Sequence, residues 1–103
     1  MKPQDYILRK KIVEQLYKVI DPELFISIVD LGLIYNIQIE EKIIITITLT
    51  TIGCPLSATI EKQIRQHVGI LKSTLALDIL IVFDPPWSPK MISPSACAEL
   101  GIE

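Results

Sequence analysis

Apolar residues recur along this chain at two different periods, and the switches between them mark out helices and strands. From Gln4 to Ile20, Leu8, Ile12, Leu16 and Ile20 return every fourth residue, with Val13 and Tyr17 on adjoining rows. Lys10, Lys11, Glu14, Gln15 and Lys18 fill the other side, so the spacing predicts an amphipathic helix. Asp21-Pro22 ends it, because a residue before proline is driven out of helical angles. Asp21 to Gly32 reads as a loop that sets the carboxylates Asp21, Glu23 and Asp30 among apolar residues.

The period then changes to two. Leu33 to Glu40 predicts a strand, Glu41-Lys42 a turn, and Ile43 to Thr50 the returning strand of a hairpin. Ile43, Ile45, Ile47 and Leu49 take one face, and Ile44, Thr46, Thr48 and Thr50 the other, a mixed face suited to partial exposure or a pocket wall. A second helical period follows: Leu56, Ile60, Ile64 and Val68 predict a helix from about Pro55 to Val68, with Gly69 as terminator. Leu75 to Phe83 is nearly continuous in apolar residues and is expected to be the central strand. Asp84 to Pro89 is a proline-rich loop, and Ser93-Pro94 opens a short last helix ending near Gly101. The order helix, strand, strand, helix, strand, helix predicts an α+β fold, a small mixed or antiparallel sheet of about three strands covered by helices on one side.

Composition narrows the function classes. With 103 residues, half of them hydrophobic, the chain is expected to form one domain over 1–103 with its own core. A domain this small leaves much of its surface wet, which is compatible with an exposed apolar patch and a homodimer. The net charge is −2 and the only guanidinium groups are those of Arg9 and Arg65, which argues against nucleic acid as the main partner. No run approaches the roughly 20 apolar residues of a membrane span, and Arg9, Lys10 and Lys11 interrupt any signal-peptide core. A cytoplasmic location is the default, with Cys54 and Cys97 as reduced thiols.

Thr51-Ile52-Gly53-Cys54-Pro55 carries the sharpest chemical signal. Gly53 permits a tight turn and Pro55 suits the first helical position, so Cys54 is expected at a helix N-terminus. Unpaired N–H groups and the positive end of the helix dipole favour a thiolate there. A thiolate serves as nucleophile, redox centre or soft-metal ligand, and the residues alone do not choose among these. Equally, Cys54 could be a small buried capping residue. Thr50 and Thr51 end the strand that leads into this turn, where their hydroxyls can face the thiol. The one histidine, His67, is about three helical turns away, too far to pair with Cys54 as a base and read as a surface or boundary residue. Asp21 and Glu23 have the chemistry of general acids or bases, although acidic loop residues are more often turn-makers or caps. Trp87 among prolines reads as a hydrophobic plug before a binding platform.

These segments together resemble the SufT/PaaD-like iron–sulfur assembly domains, also called the MIP-eighteen family or domain of unknown function fifty-nine. The resemblance rests on four ordered blocks, Asp21-Pro22-Glu23-Leu24, Ile28 to Tyr35, Thr48 to Pro55 and Asp84 to Pro89, and on the tail with Met91 to Pro94 and Leu100 to Ile102. It implies a compact α+β fold and a non-enzymatic role in maturing iron–sulfur proteins. The partners it implies are iron–sulfur scaffold, carrier or client proteins, without nucleic acid or membrane. The family's pocket carries over to Asp21, Glu23, Thr50, Thr51 and Cys54; Cys54 is the expected metal ligand of an assembly factor, and Trp87 the expected interaction residue of an apolar binding surface. A cluster normally takes about four ligands, so two cysteines imply a transient or shared iron–sulfur cluster, or iron. Alternatives are an adaptor with a purely structural pocket, an accessory protein of a phenylacetate-type oxygenase and, last for want of a base, a thiol-dependent enzyme. The chain departs from the family at Phe25, where many relatives carry glycine or proline, and at Cys97, where a charged or polar residue is usual.

Overall fold

A computed structural model describes residues 3–22, 24–50 and 57–101. The elements are α1 (Pro3–Leu16), β1 (Ile34–Ile39), β2 (Ile43–Ile47), α2 (Ser57–Gly69), β3 (Leu77–Ile81) and α3 (Pro94–Leu100), with a 3₁₀ turn over Pro89–Met91. Their order is the one the periodicities predict, and the fold is α+β.

α1 stops four residues before Ile20. The bonds from the Lys18 N–H to Gln15 and from the Val19 N–H to Leu16 close on the third preceding carbonyl and tighten the last turn. Val19 is thereby buried in the position the helical period assigned to Ile20, and Ile20 instead forms a bridge with Ser27.

The sheet is mixed, in the order β1-β2-β3. β1 and β2 form the antiparallel hairpin, closed by the Glu40 N–H donating to the Lys42 carbonyl. α2 then carries the chain to β3, which pairs parallel to β2 with Ile45 beside Ile79. The expectation that the apolar strand Leu75 to Phe83 is central is therefore corrected: β2 is central and β3 is an edge. A hairpin fixes β1 on one side of β2, so the crossover strand can take only the other side. Leu80, 50% exposed, shows what the edge leaves uncovered.

One face of the sheet builds the core. Ile37, Ile39, Ile43, Ile45 and Ile47 are buried there with Ile12 and Leu16 of α1 and Ile60, Ile64 and Val68 of α2. Each such side chain contributes about 1.5–3 kcal/mol of burial free energy. The other face carries Asn36, Gln38, Ile44, Thr46, Asp78 and Leu80, all at least partly exposed among the described residues. Lys42 and Asp78 meet there at 2.7 Å. Their hydrogen bond raises the Lys42 ammonium above its ordinary pKa and lowers the Asp78 carboxyl below its own, so both stay charged across the neutral range.

Each of the two arginines caps a sheet edge. Arg65 donates to the Leu77 carbonyl at 3.0 Å on β3, and Arg9 donates to the Ile37 carbonyl at 3.4 Å on β1. Both carbonyls point away from β2, so these contacts occupy edge positions a further strand would use.

Removing a central core side chain leaves a cavity that close packing cannot refill. Ile45→Ala is expected to lower unfolding free energy by about 2–5 kcal/mol in urea titrations, and Leu80→Ala by less than about 1 kcal/mol. Equal losses at the two positions would contradict the assignment of β2 as centre and β3 as edge.

Candidate functional site

The segment Ser27–Leu33 organises the end of the sheet where β1 begins. It is wound into short turns: the Ser27 hydroxyl accepts from the Val29 N–H, and the Leu31, Gly32 and Leu33 N–H groups donate to Ser27, Val29 and Ile28. Trp87 bonds to it directly, and Asp21 and Thr50 lie in the neighbouring stretches that it bonds through Ile28 and Leu33.

Asp21 lies in the turn that precedes it. The Asp21 N–H donates to Ile26, the Phe25 N–H donates back to Asp21, and the Ile28 N–H donates to Val19. The Asp21 carboxylate is 5% exposed and accepts from the Leu24 N–H at 3.0 Å. That is a turn-capping contact, the commoner role of an acidic loop residue. Phe25, in the same turn, has a left-handed backbone (φ +58°) and is 79% exposed. The departure from glycine at this position thus falls where the backbone favours glycine, at a cost of about 1–2 kcal/mol.

Thr50 is reached from the other side. The Thr48 N–H donates to the Leu33 carbonyl at 2.8 Å, extending the β1–β2 pairing past Ile47. Two residues on, Thr50 is half-buried. The Thr48 hydroxyl is fully buried and finds no hydrogen-bond partner among the described residues. Trp87 comes from the proline-rich loop: its indole N–H donates to the Leu31 carbonyl at 2.7 Å, and its ring packs against the core. The plug reading describes this geometry. Glu23, Thr51 and Cys54 lie outside the described residues.

The proline-rich loop is held by more than Trp87. The Tyr35 hydroxyl donates to the Pro85 carbonyl at 2.8 Å. The Ser93 N–H donates to the Asp30 carbonyl at 2.7 Å, while the Ser93 hydroxyl donates to the Asp30 carboxylate and accepts from the Ala96 N–H as N-cap of α3. Gly32, at φ +76°, lies under this strap, and a Cβ there would sit 2.5 Å from the Met91 carbonyl oxygen. Asp30, Gly32, Tyr35 and Ser93 are positioning residues that periodicity does not single out. Their signals lie elsewhere: Asp30, Gly32 and Tyr35 share one motif block, and Ser93 stands before Pro94 at the start of the last helix.

Cys97, on α3, is a half-buried free thiol 3.8 Å from the Ile92 carbonyl. His67 sits in the last turn of α2, ten residues beyond Ser57 and thus about 15 Å along the axis. Among the described residues, no three His, Cys, Asp or Glu side chains gather into a metal-binding group. No helix among them is long and apolar enough to cross a membrane.

Comparison with known proteins matches this arrangement to a family. The family model described as iron–sulfur cluster assembly protein covers residues 9–74. The chain is 37% identical over 98 residues to the Fe-S protein maturation auxiliary factor YitW of Bacillus subtilis, spanning 93% of this chain and 96% of that one. It is 37% identical over 86 residues to the Fe-S protein maturation auxiliary factor SufT of Staphylococcus aureus, 82% of this chain and 98% of that one. A 74-residue match at 34% identity covers 70% of this chain and 19% of an iron–sulfur cluster carrier protein of Mycobacterium leprae. Among solved structures, a domain of unknown function from Bacillus anthracis superposes with a TM-score of 0.87 at 33% identity, covering 95% of each chain.

Two of the positive-φ positions, Gly32 and Phe25, are expected to respond with opposite signs. Gly32→Ala should cost more than about 2 kcal/mol of unfolding free energy, because Met91 meets the new methyl group with backbone. Phe25→Gly should add about 0.5–1 kcal/mol by relieving the left-handed strain. Denaturant titration of both variants checks this, and destabilisation by Phe25→Gly would contradict the strain assigned to that turn.

Proposed function

This chain belongs to the iron–sulfur cluster assembly protein family, and on that premise we propose that it is a non-enzymatic maturation factor working through Cys54. The observation that carries the reading is the match to maturation auxiliary factors over nearly the full length of both chains. In this reading Cys54 contributes one thiolate to a cluster or iron ion that passes between proteins. A stable cluster takes about four ligands, and the chain has two cysteines, so the remaining ligands come from a partner. The cargo is held briefly and shared.

Asp21, Glu23, Thr50 and Thr51 form the surroundings of that thiolate in this proposal. Asp21 contributes by shaping the turn, since its carboxylate caps the Leu24 N–H. Thr50 and Thr51 offer hydroxyls to the thiol. Trp87 acts on the site by bracing the Ser27–Leu33 segment from behind. The partners are iron–sulfur scaffold, carrier and client proteins of the cytoplasm. The match to part of a longer protein named as an iron–sulfur cluster carrier supports this, because that chain contains a stretch similar to this one. A Cys–His nucleophile pair finds no support in the position of His67, at the far end of α2.

Complementation of a deletion strain tests the proposal, with client iron–sulfur enzyme activity as the readout. Cys54→Ser is expected to lose most of the activity that the unaltered chain restores, and Cys97→Ser to retain it. Anaerobic reconstitution with iron and sulfide should give charge-transfer absorption that Cys54→Ser lacks. Full restoration by Cys54→Ser would overturn the proposal.

A further inference from the structure

The open edge of β1 borders a groove at the end of the sheet away from the Ser27–Leu33 segment. Ile43 and Ile47 of β2 bond toward β3, through the Ile43 N–H to Ala76 and the Val82 N–H to Ile47. Strand alternation therefore turns Ile44, Thr46 and Thr48 toward β1, where the Thr48 N–H meets the Leu33 carbonyl. Their partners Asn36 and Gln38 are the bonded residues of β1. The N–H and C=O groups of Ile37 and Ile39 consequently face outward.

Those groups look into an open groove of about 1300 Å³, bounded by the first half of α1, the hairpin and the loop before β3. Its lining is acidic: Asp5, Glu40 and Glu41 stand against Arg9. Lys42, the neighbouring cation, is committed to Asp78 on the sheet face. The edge is lightly guarded as well. Arg9 reaches the Ile37 carbonyl at 3.4 Å, whereas on β3 Arg65 holds Leu77 at 3.0 Å and is paired with Glu61.

We propose that this groove binds an extended, lysine- or arginine-rich peptide segment of a partner protein, which adds to β1 as a fourth strand. Backbone pairing with Ile37 and Ile39 supplies the register, and the Glu40 and Glu41 carboxylates select positive side chains. Arg9 acts as a placeholder that the incoming strand displaces. The opposite end of the sheet, where β2 leads to Thr50, stays uncovered. The proposal is independent of any role for Cys54.

Titration of the ¹⁵N-labelled chain with an alternating lysine–valine hexapeptide tests it. The amides of Ile37 and Ile39 are expected to shift and to lose solvent exchange. A glutamate–valine hexapeptide should bind at least tenfold more weakly. The double charge reversal of Glu40→Lys with Glu41→Lys should weaken the lysine peptide at least tenfold, and Arg9→Ala should tighten it severalfold. Should the double variant lose its dispersed spectrum, the single Glu41→Gln, weakening binding two- to threefold, serves instead. The proposal is overturned if the peptide does not bind, if Ile37 and Ile39 still exchange freely at saturation, or if charge reversal leaves affinity unchanged. Protection of these amides that grows with protein concentration alone would assign the edge to a second copy of the chain and overturn it equally.

Discussion

The close approach of Gly32 to Met91 is the constraint around which the rest of the candidate site is arranged. No side chain fits between the two backbones, and the backbone there is left-handed, so glycine meets two requirements at once. With that gap closed, Trp87 reaches Leu31, Tyr35 reaches Pro85 and Ser93 reaches Asp30. These bonds join residues 50 to 63 positions apart in the chain. The proline-rich loop thus becomes a strap across Ser27–Leu33, and that segment in turn holds the Asp21 turn through Ile28 and the exit of β2 through Leu33. Each hydrogen bond is worth about 1 kcal/mol net, so the assembly gains its rigidity from their convergence on one short segment.

Much of this was legible in the sequence, for identifiable reasons. The four-residue spacing of Leu8, Ile12 and Leu16, and of Ile60, Ile64 and Val68, reports which helix faces are buried, and those faces form the core. The alternation from Ile43 to Ile47 likewise reports which face of β2 is buried. Two departures share one origin: apolar content does not fix position. Leu75 to Phe83 is rich in apolar residues yet forms an edge, because topology, set by the hairpin, decides strand order. Ile20 continues the helical row but lies beyond the end of α1, because the chain turns there to bridge Ser27.

The candidate site was legible in its residue types and less so in their roles. Asp21 and Trp87 belong to motif blocks, while the contacts of Asp21 with the Leu24 N–H and of Trp87 with the Leu31 carbonyl are made to backbone groups. Such contacts leave no periodic trace in a sequence. Phe25 shows the converse, since its strain appears only when the backbone angle is known. One end of the sheet carries the Ser27–Leu33 segment and the strap across it, and the other carries an open strand edge beside a groove lined by Glu40 and Glu41.

Native-state hydrogen exchange on Trp87→Phe tests the keystone role of Ser27–Leu33 most directly. That substitution keeps an aromatic ring against the core while removing the bond to Leu31 and part of the indole's volume. The account predicts that protection falls together at the Ile28, Leu33, Thr48 and Ser93 amides, while the β2–β3 amides keep theirs. Loss confined to Ser93, with Ile28 and Thr48 unchanged, would show that the strap hangs on the segment without holding it, and would contradict the account.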